Sequence, residues 1–149
     1  MSSELIKKRK IKIFPAKLKH RIEMRNVNEK CLPENYDMYL WDLFLSYHNS
    51  FVLCAGIVVV GYCLCGNEGN IASFAILQEY RGKGYGKQLL KTTLNHLKIK
   101  HKQALLQVRV SNESAIKLYI SHGFVINRTL EKYYSNDEDA YEMINKLKD

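Results

Sequence analysis

The spacing of apolar and polar positions divides the chain into short segments of two kinds. Where β-branched, aromatic and other apolar residues alternate with polar ones or form an unbroken run, the pattern favours β-strands. Glycine, proline and small polar residues separate these runs. The pattern predicts a short first strand at Ile11 and Ile13 and six further strands at Phe51–Ala55, Ile57–Cys65, Ile71–Leu77, Ala104–Val110, Phe124–Leu130 and Ala140–Leu147.

Apolar residues three or four positions apart predict four helices. Their apolar positions are Leu18, Ile22 and Val27 in the first, Tyr39, Leu40, Leu43 and Phe44 in the second, Leu89, Leu90, Leu94 and Leu97 in the third, and Ala115, Ile116, Leu118, Tyr119 and Ile120 in the fourth. Pro33 disfavours helical torsions in the residue before it, so residues 31–36 are expected to form a loop between the first two helices. Ser111 and Ser114 are the candidate N-caps of the fourth helix, and Gly123 is expected to end it.

The predicted elements follow one another in the order β-α-α-β-β-β-α-β-α-β-β. Consecutive strands in the first half favour hairpins, whereas strands that alternate with helices in the second half favour parallel neighbours. The expected fold is therefore α+β, with a mixed, mostly antiparallel sheet between layers of about four helices (a three-layer α/β/α arrangement).

Composition adds limits to this picture. The chain has 149 residues, 46% of them hydrophobic, and a formal net charge of +8 at pH 7. This length suits one domain, expected over residues 11–149. Residues 1–10 are predicted to be a basic, flexible tail, which could bind a nucleic acid or the ribosome surface or remain solvated. No segment resembles a specific nucleic-acid-binding module.

Targeting signals and metal-ligand patterns are not evident either. No apolar run approaches the roughly 20 residues that span a membrane, and the first residues lack the apolar core of a secretory signal. A cytoplasmic location is therefore expected. The cysteines, at positions 31, 54, 63 and 65, lack the spacing of a zinc site or a disulfide framework. We expect ordinary buried thiols and no bound metal.

The segment Arg81–Lys87 places three glycines and three cations just before the third helix. A helix N-terminus exposes unpaired N–H groups, and glycines let the preceding backbone converge on one anion. The side chains of Arg81, Lys83 and Lys87 add charge that can pair with phosphate. The segment lacks the Lys-Ser/Thr ending of a P-loop and the G-x-G-x-x-G spacing of a dinucleotide site. It is predicted to be a phosphate cradle of another type.

Two motifs identify a family in which such a cradle occurs. The segment Arg81–Gly86 matches R-x-x-G-x-G, the pyrophosphate loop of the GNAT acetyltransferase superfamily. Val110–Tyr119, with the sequence VSNESAIKLY, resembles the second cofactor-binding segment of that family, and His122–Phe124 closes it as the family's G-F does. The chain is therefore identified as resembling GNAT acetyltransferases.

Two further stretches resemble one group within the superfamily. Residues 31–36, CLPENY, are similar to the substrate loop of the protein N-terminal (α-amine) acetyltransferases, and residues 132–143 resemble the K-Y-Y-x-x-x-E-D-A-Y-x-M ending of the same group. The ribosomal-protein alanine acetyltransferases and the archaeal N-terminal acetyltransferases are similar to it. The resemblance implies acetyl transfer from acetyl-CoA to a protein or peptide N-terminus, with no metal.

The resemblance also implies where the cofactor binds. In this fold two neighbouring parallel strands splay apart and admit the pantetheine arm, and here they would be Ile71–Leu77 and Ala104–Val110. The cofactor-binding residues implied in this way are Phe74, Ala75, Ile76, Arg81, Gly82, Lys83, Gly84, Tyr85, Gly86, Lys87, Asn112 and Tyr119.

Catalytic and substrate-binding residues follow from the same comparison. Tyr119 is expected to act as the general acid at the sulfur, and Glu34 as the general base or the end of a water chain. Glu34, Tyr36, Tyr133 and Tyr134 are expected to bind the peptide.

The chain departs from its relatives at two positions. Asn70 and Gln107 stand where relatives have stronger bases, so a water-mediated proton route is expected. Two alternatives stay open at this point. One is a GNAT enzyme that acetylates lysine or small amines, and the other is an acyl-CoA-binding module without catalysis. Association with the ribosome or a helper subunit also stays open.

Overall fold

The computed structural model describes residues 9–148, in which the elements follow the predicted order. The strands are β1 (Ile11–Pro15), β2 (Phe51–Ala55), β3 (Val58–Cys65), β4 (Ile71–Ile76), β5 (Gln103–Arg109), β6 (Val125–Leu130) and β7 (Ala140–Lys146). The helices are α1 (Arg21–Cys31), α2 (Met38–Ser46), α3 (Tyr85–Leu97) and α4 (Glu113–Ser121), with short 3-10 turns at Leu18–His20 and Gln78–Tyr80.

The strands form two antiparallel sheets that meet along one short line. Their orders are β1-β2-β3-β4 and β5-β7-β6. β4 and β5 come together in a single parallel bridge between Asn70 and Leu105, where the Leu105 N–H donates to the carbonyl of Gly69 over 3.1 Å. Beyond this bridge the two strands share no further ladder. The predicted mixed, mostly antiparallel sheet with a splayed parallel pair is therefore confirmed.

Helices cover both faces and make two separate cores. On one face, Met24 and Val27 of α1 and Trp41 and Leu45 of α2 pack against side chains that include Tyr62 of β3. On the other face, α3 and α4 pack against the sheet through a second cluster that contains all four predicted apolar residues of α3, namely Leu89, Leu90, Leu94 and Leu97. The three-layer arrangement is confirmed.

The buried faces of the first two helices differ from the prediction. Leu18 and Ile22 are 52% and 57% exposed, whereas Met24 and Val27 are buried. The predicted stripe followed an i, i+4 pattern that begins outside the helix, because α1 starts only at Arg21. Of the predicted stripe only Val27 reaches the core, and Met24 is the buried residue of α1 that the prediction missed.

In α2 the predicted residue Tyr39 is 69% exposed. Trp41 and Leu45, which are one helical turn apart, are the residues that reach the core. The cap of α4 also differs, since neither Ser111 nor Ser114 caps it. The side chain of Asn112 accepts from the Ala115 N–H over 3.3 Å.

The remaining expectations have mixed outcomes. Cys54, Cys63 and Cys65 are buried free thiols, as predicted, and Cys31 is half-buried. Gly123 has φ +96° after α4, as a helix-ending glycine should.

Most of the predicted tail, residues 1–8, lies outside the described residues. Among residues 9–148, no helix is long and apolar enough to cross a membrane, and no cluster of three potential metal ligands occurs.

The contact that holds β4 to β5 depends on a glycine. Gly69 has φ +81°, and a Cβ there would lie 2.6 Å from the carbonyl oxygen of Gln103. We expect Gly69→Ala to lower the free energy of unfolding by about 2 kcal/mol or more, because backbone cannot move aside as a side chain can. Urea unfolding curves measure this. Gly82→Ala is the matched control, since Gly82 has φ +74° but open space around it, and only torsional strain of about 1 kcal/mol is expected. Equal losses in the two variants would contradict this account.

Candidate active site

A cleft of about 690 Å³ opens where β4 and β5 separate. Seven of the residues predicted from sequence line it, namely Glu34, Tyr36, Phe74, Asn112, Tyr119, Tyr133 and Tyr134. Tyr119 belongs to α4, on one face of the sheet. Tyr36, Tyr133 and Tyr134 belong to the loops at the opposite face. The cleft thus passes between the two strands and connects both faces of the protein.

The backbone of β4 forms one wall of the cleft. The Leu77 N–H donates to the Val60 carbonyl of β3 over 2.8 Å. In an antiparallel ladder the hydrogen-bonded residues alternate, so Ala75 also directs its N–H and carbonyl to β3. Phe74 and Ile76 direct theirs towards the gap. Phe74, Ala75 and Ile76 were all predicted to bind the cofactor through their backbone. The backbone groups of Ala75 are bonded to β3, so only those of Phe74 and Ile76 face the gap.

Two hydrogen bonds agree with this orientation. The Ala72 carbonyl accepts from the hydroxyl of Tyr36 over 2.9 Å, and the Ile76 carbonyl accepts from Nε of Arg81 over 2.7 Å. No strand pairs with these two carbonyls, and the Ile76 carbonyl also accepts from the thiol of Cys31 over 3.6 Å. The backbone of Phe74 lies between them and still faces the open gap.

The glycine-rich loop lies at the end of this wall. Gly82 and Gly84 have φ +74° and +87°, and a Cβ at either would meet nothing within 4 Å. Glycine is therefore required by torsion, and the space above the loop is open. Gly84 is the N-cap of α3. The Gln88 N–H makes a helical bond to its carbonyl at 3.2 Å, which leaves the N–H groups of residues 85–87 available to a ligand.

The charges around this loop suit a diphosphate. Arg81, Lys83 and Lys87 are all exposed. Together with the first-turn N–H groups they give a concentration of positive charge at the end of β4. The loop itself does not line the cleft, but it follows directly from the strand that does. The observed residues thus fit the cofactor that the sequence implied: a diphosphate on the loop and an arm along β4.

Tyr119 stands inside the cleft between aromatic neighbours. Its ring centroid is 6.3 Å from that of Phe74 and 5.7 Å from that of Phe124. Burial raises the pKa of its hydroxyl far above the ordinary value of 10. The hydroxyl therefore keeps its proton at neutral pH and can donate a hydrogen bond into the cleft.

Arg109 is the residue of the site that the sequence reasoning missed. Its side chain is 17% exposed and forms ion pairs with both Glu34 and Glu138. It also donates to Asn136 over 2.9 Å, and its guanidinium lies 4.0 Å from the ring centroid of Tyr134. One side chain therefore joins the loop before α2 to the loop between β6 and β7.

The sequence did contain a signal for Arg109. Gln107 and Arg109 alternate with the core residues Leu106 and Val108 along β5. Residues two apart in a strand share a face. The pattern therefore places the charged side chain of Arg109 on the same face as Gln107, opposite the core. Nothing in the pattern indicated its partners, which lie 75 and 29 positions away in the chain.

Glu34, the predicted base, is thus a paired carboxylate. Arg109 donates to its Oε1 from Nε over 3.0 Å and also from Nη2. Within the described part of the chain no hydrogen bond reaches its Oε2. The carboxylate is held at the cleft by one oxygen, and the other oxygen is available to a substrate or a water.

The peptide-binding tyrosines converge at the same mouth. The rings of Tyr133 and Tyr134 are 5.0 Å apart and nearly perpendicular. Burial raises the pKa of Tyr36 and Tyr134, and the nearby Glu34 carboxylate adds to the effect. Their hydroxyls therefore stay neutral and can act as hydrogen-bond donors or acceptors.

The two positions that depart from the relatives are separated in space. Gln107 lines the cleft. Asn70 does not, because it lies at the far end of the strand gap and its side chain packs over Gly66. Asn70 can therefore be excluded as a group that orders water at the reacting atoms, whereas Gln107 can serve that purpose.

The chain is similar to known proteins in sequence and in fold. Residues 21–124 match the acetyltransferase (GNAT) family. The chain is 31% identical to an N-alpha-acetyltransferase of Sulfurisphaera tokodaii, over 95% of this chain and 96% of that protein. It is 34% identical to an N-alpha-acetyltransferase of Saccharolobus solfataricus, over 81% and 84% of the two chains. The crystal structure of Ard1 from Thermoplasma volcanium superposes with a TM-score of 0.86 at 26% identity, over 93% and 99%.

The Arg109 cluster predicts a pH-dependent contribution to stability. Hydrogen bonds from Ser111 and Arg109 hold the pKa of Glu138 below its ordinary value of 4.5. A lowered folded-state pKa stabilises the fold above the unfolded value and ceases to do so as the pH falls through the folded value. The difference in unfolding free energy between wild type and Glu138→Gln should be full at pH 7 and shrink below pH 4.5.

Urea unfolding at a series of pH values between neutral and acidic measures that difference. Glu131→Gln is the control, since Glu131 is exposed and begins the same loop. A constant difference for Glu138→Gln across this range would show that its carboxylate is not stabilised by Arg109 and Ser111.

Proposed function

Because the chain belongs to the acetyltransferase (GNAT) family, we propose that it transfers the acetyl group of acetyl-CoA to the α-amino group of protein N-termini. The observation that carries this is the cleft through the sheet, with Tyr119 at one end and Tyr133 and Tyr134 at the other. Two substrates can enter it from opposite faces and meet between the strands. The resemblance to proteins named N-alpha-acetyltransferase supports the choice of amine.

The cofactor would be held by the exposed loop and the free edge of β4. The N–H groups at the start of α3, with Arg81, Lys83 and Lys87, bind the diphosphate. The backbone N–H and carbonyl of Phe74 pair with the arm as a neighbouring strand would, and Ile76 adds only its N–H, because its carbonyl is bonded to Arg81. When bound, acetyl-CoA supplies an acetyl thioester. An N–H donor at its carbonyl oxygen would favour attack, because charge develops on that oxygen.

Tyr119 and Asn112 act at the other side of the cleft. The neutral hydroxyl of Tyr119 donates a hydrogen bond to the departing sulfur, which lowers the cost of the negative charge there. The Oδ1 of Asn112 is committed to the helix cap, so its Nδ2 is the group that remains for the cofactor. The cap fixes the position of that amide.

The peptide terminus would enter between the two clamped loops. Tyr133 and Tyr134 present hydroxyls to the peptide backbone, and Tyr36 closes the third side. The ion pairs of Arg109 with Glu34 and Glu138 keep these loops together. Hydroxyls beside the mouth can bind the peptide groups next to a chain terminus, and this favours an α-amine over a lysine side chain or a small free amine.

The incoming amine must lose a proton, since an α-ammonium group has a pKa of about 8. We assign Glu34 as the proton acceptor. Its Oε2 takes the proton of the amine directly or through one water that Gln107 orders. Arg109 positions the carboxylate from its other oxygen. Gln107 itself cannot take the proton, because an amide is not a base at neutral pH.

Association with other molecules is a further part of the proposal. Leu18 and Ile22 expose apolar surface beside α1, which a helper subunit could cover. The positive charge of the chain would favour the ribosome surface. We place the enzyme in the cytoplasm, where nascent chain termini emerge and thiols such as Cys31 stay reduced.

The phosphate role of the loop can be tested by affinity. We expect Lys83→Ala combined with Lys87→Ala to weaken binding of acetyl-CoA about tenfold, close to 1.4 kcal/mol, because two cations near the diphosphate are lost. Isothermal titration calorimetry measures the dissociation constant, and added salt should reduce the difference. Lys98→Ala, at the other end of α3, is the control. Unchanged affinity in the double variant would remove the loop from the cofactor site.

The reaction can be tested with acetyl-CoA and peptides that differ in their first residue, including N-terminally blocked peptides whose only amine is a lysine. We expect turnover of free α-amines alone. Tyr119→Phe and Glu34→Gln should each lower kcat by about 10²-fold or more. Turnover restricted to blocked lysine peptides would overturn the α-amine assignment. An unchanged kcat in either variant would remove that residue from the mechanism.

A further inference from the structure

A second groove lies beside the active-site cleft and has no part in the chemistry described above. It has a volume of about 640 Å³, and we call it the side groove. Its principal lining residues come from the end of α2, the turn before β4 and the start of β5: Phe44, Tyr47, Asn67, Asn70, Gln103 and Leu105. It lies at the end of the β4–β5 gap where the two strands are bridged.

One wall of the side groove continues directly from the cleft. Tyr36 lines the cleft, and its ring centroid lies 5.9 Å from that of Phe44 in the side groove. The Phe44 ring is in turn 6.5 Å from that of Tyr47. The three rings form an unbroken aromatic row along α2 that leads from the peptide mouth into the side groove.

The opposite wall is equally continuous. Gln107 lines the cleft, whereas Leu105 and Gln103 line the side groove. These residues occupy alternate positions of β5 and share the face that is turned away from the α3 side. At about 3.3 Å per residue, Leu105 lies roughly 7 Å and Gln103 roughly 13 Å from Gln107 along the strand. An extended peptide whose first residue is at Gln107 would cover that distance with its next four residues.

The polar groups of the side groove suit an extended backbone. The side-chain amides of Asn67, Asn70 and Gln103 make no hydrogen bond to any residue in the described range 9–148. Asn70 is half-buried and packed over Gly66, so its amide is held in place. An amide offers both a donor and an acceptor, which is what a peptide group needs.

We propose that the side groove binds the part of the substrate chain that follows the acetylated terminus, at about its third to fifth residues. The aromatic row contacts the substrate side chains and the amides bind its backbone. The inference rests on the proposed function, since it extends the path of the same peptide. The proposal predicts that the KM of a peptide depends on its length as well as on its first residue.

The test compares two peptide amides that share their first two residues, one of two residues, which is too short to reach the side groove, and one of eight. The first residue is the best substrate of the panel described above. In the wild type we expect the longer peptide to have a KM about five- to tenfold lower at similar kcat, because the extra contacts bind ground state and transition state alike. Tyr47→Ala should remove most of this advantage by raising the KM of the longer peptide.

The short peptide serves as the internal control, since Tyr47→Ala should leave its kcat and KM unchanged and thereby show that the variant is folded. Tyr39→Ala is the matched variant, because Tyr39 is on the same helix but 69% exposed. It should leave the length effect intact. Equal KM values for the two peptides in the wild type, or equal effects of Tyr47→Ala on both, would overturn the side groove alone. Absence of acetylation of any α-amine would overturn the proposed function and this inference with it.

Discussion

The separation of β4 from β5 is the constraint on which the rest of the site depends. A strand inside a sheet normally pairs on both edges, and unpaired backbone groups away from water are costly. Here β4 loses its neighbour after Asn70. Side chains supply two of the missing partners, as Tyr36 donates to Ala72 and Arg81 to Ile76. The backbone of Phe74 between them is left for a ligand, which makes the gap a binding site rather than a defect.

The same gap explains why Arg109 carries so many contacts. With β4 drawn away, the loops before α2 and between β6 and β7 face each other across open space, and each brings a carboxylate to the mouth. Glu34 and Glu138 would repel one another without a cation between them. Arg109 stands between the two, and its planar group binds both while stacking on Tyr134. The geometry of the peptide mouth therefore follows from one charged residue at the end of β5.

Sequence reasoning recovered what local patterns encode and failed where distant segments decide. The sequence of helices and strands along the chain, the α3 core stripe and the glycines in the loop before α3 are set within a few residues, so they could be predicted. The buried face of α1 was predicted only in part, because Val27 belonged to the expected stripe whereas Met24, which packs against the sheet beneath, did not. The Arg109 cluster joins three segments far apart in the chain, and spacing alone could not supply its partners.

A buried network shows how the fold fixes the Glu34 loop. Asn28 is fully buried and donates to the Glu34 carbonyl over 3.0 Å and to the Tyr62 hydroxyl over 2.9 Å. Tyr62 is 2.7 Å from the Ser73 hydroxyl. Either hydroxyl of this pair can be the donor, since a phenol oxygen that accepts from Asn28 can accept a second hydrogen bond. Ser73 also lines the cleft, so the residues that anchor the Glu34 loop are connected to the cleft wall through β4.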